Sequence, residues 1–298
     1  MFLKTKINNS TTSSLAKDLA QAKQAIKHSD SIIIGAGAGL SLAAGFALSG
    51  PRFDKYFGDF KAKRGIKDMY TGGFYPFPSE EEKWAWWSRA IWLNRYQPAP
   101  HATYKQLQKL VAGHDYFVLT TNVDHQFQLA GFDKQRLFYT QGDYGLLQSS
   151  ALNQTFDNYE IIRKMLLSQG FKIDDSRHLF IPSSSKIKMQ ISSELAAQVR
   201  EYQLNLRVDD SFVEDQGWHQ AAERFNLYVS RHQQGRVVYL ELGVGLNIPA
   251  IIKFPFWKWT ADNPDAKLIT IDSHHIYYPE KITDQTIGLK MDINKLFE

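Results

Sequence analysis

The chain has 298 residues, 43% hydrophobic and 22% charged, with 19 Phe, 14 Tyr and 7 Trp, a composition that suits one large globular domain or two ordinary ones and excludes disorder, a collagen-like repeat and a small disulfide-stapled scaffold. Cysteine is absent, which removes any disulfide, thiolate nucleophile, iron–sulfur cluster or Cys-ligated zinc and agrees with a reducing compartment. A net charge of +4, from 35 basic and 31 acidic residues, is too small to argue for nucleic acid, and no run reaches the ~20 apolar residues of a membrane span.

Residues 1–14 lack the apolar core of a secretion signal, so a cytoplasmic protein with neither nucleic acid nor membrane as partner is expected. Leu15, Leu19, Ala22 and Ile26 recur at helical spacing over residues 14–28, with Ser13 or Ser14 as the cap. Residues 31–34, Ser-Ile-Ile-Ile, form a short β-branched run that stops at the glycine-rich segment 35–45. Strand, glycine turn and small-residue helix thus follow in the order of a nucleotide-binding βα unit. Residues 52–67 carry six basic side chains against two acidic ones, a solvated face or a dock for an acidic partner. Residues 79–82, Ser-Glu-Glu-Glu, read as a capping box ahead of a helix with Trp84, Trp87 and Ile91 on one face and Trp86 and Trp92 elsewhere around it. So much tryptophan implies burial on two sides.

A helix over 101–112 aligns Tyr104, Leu107 and Val111, ends at Gly113, and feeds a strand over 116–120; a short strand follows near 137–139. From about 146 to 232 the chain turns polar, with helical spacing near 159–167 and 218–229, and reads as an inserted module. Strand signals return at 236–242, 267–271 and 287–290. Buried β runs alternating with helices predict an α/β fold, a Rossmann-like doubly wound parallel sheet with a smaller inserted lobe. Residues 14–50, 98–147 and 234–298 fall to the main domain, and 51–97 and 148–233 to the lobe.

Open parallel sheets bind ligands beyond the carboxyl ends of their strands. The first strand delivers Gly37, Ala38, Gly39, Ser41 and Gly45, where glycines let backbone approach a pyrophosphate and a helix N-terminus offers free N–H groups. A close-packed turn with no ligand is the alternative. The second delivers Asn122 and Asp124, which either grip a carboxamide or cap the next helix. The strand ending at Leu242 delivers Gly243, Val244, Gly245 and Asn247, and the next ends in Asp272. That carboxylate can accept both hydroxyls of an adenosine ribose and would repel a 2′-phosphate, favouring NAD over NADP; its alternative is a helix cap. Histidines are scattered, and His274-His275 lacks a third ligand at recognisable spacing, so no metal site is expected.

These residues resemble a family. Residues 37–46, Gly-Ala-Gly-Leu-Ser-Leu-Ala-Ala-Gly-Phe, resemble the opening sirtuin motif Gly-Ala-Gly-Ile-Ser-x-x-Ser-Gly-Ile, and 120–124, Thr-Thr-Asn-Val-Asp, the sirtuin Thr-Gln-Asn-Ile-Asp segment. Residues 242–247 are similar to the late Gly-Thr-Ser-Leu turn, and Ile271-Asp272 stands where sirtuins place Ile-Asn beside the adenosine ribose. The resemblance spans roughly 30–292 and implies an NAD-binding Rossmann domain with a small lobe.

The departures direct the function. Sirtuin deacylases carry His-Gly after the Asn/Asp segment, the His being the general base; here the pair is Gln141-Gly142, and an amide takes up no proton at neutral pH. The Pro-Asp-Phe-Arg tail is replaced by Ala47 to Gly50, with Arg52-Phe53 as a displaced substitute, and the zinc cysteines by Ser149-Ser150 and Ser183-Ser184-Ser185. With Gln141 the chain resembles the macrodomain-linked sirtuins of bacterial pathogens. That implies a zinc-free mono-ADP-ribosyltransferase using NAD, acting on a lipoylated glycine-cleavage-H-like carrier, with a macrodomain ADP-ribosyl hydrolase encoded nearby. Asn122, Asp124 and Gln141 are its expected catalytic residues, and Arg207 and Asp209 contact the acceptor or are plain surface charge. An NAD glycohydrolase and a non-catalytic NAD-sensing module remain alternatives, ahead of a deacylase.

Overall fold

The computed structural model describes residues 12–183 and 186–298; the expected absence of a signal within 1–11, and Ser184 and Ser185, lie outside the described residues. In chain order come α1 (Thr12–Lys27), β1 (Ser31–Ala36), α2 (Ala38–Ala43), α3 (Pro51–Arg64), α4 (Met69–Gly72) and α5 (Glu80–Ile91), which runs into a π-helical turn, Trp92–Tyr96. Then follow α6 (Thr103–Leu110), β2 (Tyr116–Thr120), α7 (Gln126–Leu129), β3 (Leu137–Tyr139), β4 (Gly142–Ser149), β5 (Gln154–Asp157), α8 (Tyr159–Ser168), β6 (Lys172–Ile173), β7 (Leu179–Phe180), α9 (Ser193–Gln198) and β8 (Gln203–Leu206). The chain finishes with α10 (Gln216–Arg231), β9 (Val237–Leu242), α11 (Lys253–Asp262), β10 (Lys267–Asp272) and β11 (Thr286–Lys290).

Six strands form a parallel sheet in the order β11-β10-β9-β1-β2-β3. β1 and β9 are buried along their whole length, which is why both read as continuous β-branched or apolar runs rather than as alternation. From β1 the chain moves outward to β2 and β3, then returns to lay β9 on the other side of β1. The order therefore reverses between β1 and β9, and such a switch point opens a crevice at the carboxyl ends of the two strands.

The lobe has its own core, built from α3, α5, α8 and α9 around Phe53, Phe57, Phe60, Trp84, Trp86 and Trp92. Trp86 lies 4.4 Å from the Phe57 ring and 5.1 Å from that of Phe60. Trp87, placed on the buried face by spacing, is only half-buried, and Trp86 takes that position instead. Arg89, fully buried, braces the lobe: it donates to Asp59 at 2.7 Å, Gln169 at 2.7 Å, Tyr56 O at 2.9 Å and Lys188 O at 2.8 Å. Tyr56 and Asp59 lie on α3 in the first insertion, Gln169 and Lys188 in the second, so one guanidinium ties both insertions together.

Four expectations are corrected. α10 packs on the main sheet, not in the lobe: Phe225 meets Phe117 and Phe138, because Trp218, Ala221, Phe225 and Tyr228 form an apolar stripe inside an otherwise polar stretch. At the other boundary the lobe takes over from Gly142, since β4 pairs antiparallel with β5 and β8. The capping box is half made, as Ser79 accepts the Glu82 N–H at 3.3 Å while the Glu82 carboxylate turns to Arg64 at 2.6 Å. Ser13 and Ser14 lie inside α1 rather than at its cap.

The basic run also changes character. Arg52 is directed into the lobe, donating to Leu93 O and Asn94; Lys61 pairs with Asp54 and Arg64 with Glu82. Lys55, Lys63 and Lys67 remain exposed to solvent. Among the described residues no helix is long and apolar enough to cross a membrane.

Candidate active site

At the switch point lies a cavity of about 800 Å³, within the range of about 300–1,000 Å³ that ligand pockets occupy. The turns after β1 and β9 form its floor, bringing Gly37, Ala38, Gly39, Gly243, Val244, Gly245 and Asn247 together. Asp272 at the end of β10 and Gln141 before β4 stand on its walls. The glycines have a prior reason to be glycines. A Cβ on Gly39 would lie 2.5 Å from Gly243 Cα, and one on Gly37 2.6 Å from Gly243 O, so the two turns interlock backbone to backbone. Gly245 differs, since a Cβ there meets nothing within 4 Å. The amides of Val244, Gly245 and Asn247 donate to no backbone carbonyl among the described residues, which leaves a row of donors at the cavity edge suited to a pyrophosphate.

Asn122 and Asp124 lie behind this wall, at a cleft of about 10 Å³ that meets the large cavity at Val123. Asp124 Oδ2 accepts the Ser41 hydroxyl at 2.5 Å and the Tyr104 hydroxyl at 2.9 Å, while Oδ1 accepts the Gln126 N–H at 3.1 Å. Burial pushes the Asp124 carboxyl above its usual range, against the pull of those donors. Asn122 Nδ2 donates to Gly37 O at 3.0 Å, so its Oδ1 stays available as an acceptor. Ser41 therefore contributes through Asp124 rather than by lining the cavity. Gly45, at φ +93°, instead packs against Pro100 and His101.

Gln141 is nearly buried; its carbonyl accepts the Arg207 N–H at 3.1 Å and its side-chain amide reaches Thr140 Oγ1 at 3.5 Å. Arg207 lines the cavity, ion-paired to Glu214 and lying over the Phe212 and Trp218 rings, whereas Asp209 caps Ser211 beside a neighbouring groove. Arg52 and Phe53, offered as substitutes for the missing tail, serve the lobe core instead. Asp272 Oδ1 accepts the N–H groups of His274 at 2.7 Å and His275 at 3.1 Å, which leaves Oδ2 for a ligand hydroxyl. Among the described residues no group of three or more His, Asp or Glu is placed to hold a metal ion.

Sequence reasoning did not assign a role to Tyr104, which it took for an apolar helix face, nor to His125 and Asp143. Tyr104 lies 20 residues from Asp124, His125 18 from Asp143 and Asp143 48 from Arg95, and no local spacing announces such pairs.

No family model matches the chain. A protein ADP-ribosyltransferase of Staphylococcus aureus strain Mu50 is 34% identical over 278 residues, covering 92% of this chain and 84% of that protein. A probable bifunctional ADP-ribose hydrolase/ADP-ribosyltransferase of Fusarium oxysporum is 27% identical over 247 residues, 80% of this chain but 39% of that protein. Among solved structures, Sir2 with a p53 peptide and NAD+ matches with a TM-score of 0.53 at 16% identity, covering 94% of this chain and 95% of that one. Sir2Tm bound to a propionylated peptide gives 0.53 at 15% identity over the same shares, 94% and 95%. The fold is thus sirtuin-like, a Rossmann-type parallel sheet with an inserted lobe. Within that class, the chain belongs to the family of the S. aureus protein ADP-ribosyltransferase.

Proposed function

We propose that the protein cleaves NAD at its nicotinamide and transfers the ADP-ribose to a lipoylated glycine-cleavage-H-like carrier protein. Enzyme class and co-substrate rest on the family; the finer reading is supported by Gln141, an amide that lines the cavity and that the sequence resemblance sets in place of the deacylases' basic His. When the C1′–N bond breaks, its electron pair neutralises the pyridinium, so the leaving group needs no acid. Asn122 Oδ1 can accept the carboxamide N–H, and Asp124, held by Ser41 and Tyr104, fixes the turn around it. Gln141 hydrogen-bonds the ribose without taking a proton. A carboxylate on the acceptor is already ionised and attacks C1′ directly, forming the new C1′–O bond, so no base is missed.

The name of the F. oxysporum relative joins an ADP-ribose hydrolase to an ADP-ribosyltransferase, in keeping with a transferase that works beside a hydrolase. The test is to incubate the protein with labelled NAD and either lipoylated carrier or an acetyl-lysine peptide, and to follow label by mass spectrometry. Label on the carrier with no deacetylation is expected. Free ADP-ribose alone would point to a glycohydrolase, and efficient deacetylation would overturn the role given to Gln141.

A further inference from the structure

His125 follows Asp124 directly and holds a left-handed backbone, φ +61° and ψ 13°, although it carries a Cβ. Such a conformation is costly and persists where surrounding contacts impose it. The contact is plain: His125 Nδ1 lies 2.5 Å from Asp143 Oδ2. The other carboxylate oxygen accepts Arg95 Nε at 2.8 Å and the Gly145 N–H at 2.7 Å. Asp143 is itself buried, its side chain 6% exposed, and each of its oxygens is engaged. His125 lies one residue past Asp124, Asp143 two past Gln141, and Arg95 on the π-helical turn of the lobe. One buried carboxylate thus joins the Asn122–Asp124 turn, the strand that presents Gln141, and the lobe.

We propose that His125 is a positioning residue, clamping through Asp143 and Arg95 the turn that carries Asn122 and Asp124 against the strand that presents Gln141. This rests on the NAD reading of the cavity. A misplacement of ~1 Å between such groups lowers turnover by about 10²-fold. The groups facing His125 are Asp143 with Arg95 behind it, Asp124 in its own loop and Tyr139 on β3. Burial pushes Asp143 up, but the His125 hydrogen bond and the Arg95 charge outweigh it and hold the carboxyl below its usual range.

Two variants separate the clamp from the backbone. His125→Gly accepts the left-handed turn without strain but has no clamp; kcat for nicotinamide release should fall ~10- to 100-fold while KM for NAD changes less than ~3-fold. His125→Asn also tolerates the turn and can still donate to Asp143; it should keep most of the rate. Amide hydrogen exchange over residues 121–126 and 141–145 should quicken in His125→Gly. Unchanged kcat and exchange in His125→Gly would overturn the clamp. No nicotinamide release by the unmodified protein, with exchange still quickened in the variant, would sink the NAD reading and leave the clamp standing.

Discussion

Asp272 combines two tasks in one side chain. Its Oδ1 ties down the His274 and His275 amides and its Oδ2 stays open at the cavity edge, so a ribose diol can be held while a 2′-phosphate meets a fixed negative charge. Calorimetry should show NAD bound ~10-fold or more tightly than NADP, and Asp272→Asn should narrow that gap; equal affinities in the unmodified protein would remove Asp272 from the ribose. Asn122→Ala removes the side-chain donor to Gly37 O, which keeps the Leu40 N–H at 3.0 Å, so it costs about 0.5–1.5 kcal/mol of stability. It also removes the acceptor at the reacting end, so nicotinamide release should drop ~10²-fold or more. Near-normal turnover in a less stable variant would reduce Asn122 to a brace between two loops. Asp143 adds a pH signature. Its folded-state pKa is depressed, so its stabilisation is fully present above the unfolded value of about 3.9 and is lost as pH falls through the folded value. Denaturant unfolding of Asp143→Asn against the parent should show a stability gap at neutral pH that closes below about pH 4.

The turns after β1 and β9 behave as one element, because neither leaves room for a side chain on the other. Gly243, at φ +60° and with a virtual Cβ 2.4 Å from Gly39 Cα, would suffer both strain and clash if substituted. Gly39→Ala should therefore cost about 1–3 kcal/mol in thermal unfolding and weaken NAD as a secondary effect of the distorted floor. Gly245→Ala is the contrast. With nothing within 4 Å, it should leave stability within about 0.5 kcal/mol and lower NAD affinity only if a phosphate approaches that backbone. Loss of stability in Gly245→Ala would contradict this division between packing glycines and a ligand-facing one.

Across the whole molecule, the lobe depends on interactions between segments remote in sequence. Removing Arg89 would strand the Asp59 carboxylate, the Gln169 amide and two carbonyls around an unfilled space. Arg89→Ala should cost about 3–5 kcal/mol, seen as a loss of cooperative unfolding or of soluble protein. An unchanged melting temperature would show that the aromatic core alone holds the lobe. Charge acts at this scale too, though with fewer free cations than the run 52–67 suggests. If Lys55, Lys63 and Lys67 meet an acidic carrier, transfer at subsaturating carrier should weaken as salt rises while NAD affinity changes less.

The central sheet was legible because burial on both faces leaves β-branched runs in the sequence, and the site's floor because glycine is demanded wherever two backbones touch. Strand ends were enough to nominate Gly37, Gly243 and Asp272, and the resemblance to sirtuins added Gln141; all of these line the cavity. Tertiary structure decided what each group does there. Asn122 and Asp124 lie behind the wall in a hydrogen-bonded network with Ser41 and Tyr104, and α10 leaves the polar insertion to cover β2 and β3. Half of the basic run is engaged by Asp54, Glu82 and lobe carbonyls. A periodic pattern reports which face of one element is apolar, but a hydrogen bond or ion pair between residues 18 to 83 apart follows only from where the fold brings them, and the clamp of His125, Asp143 and Arg95 is of that kind.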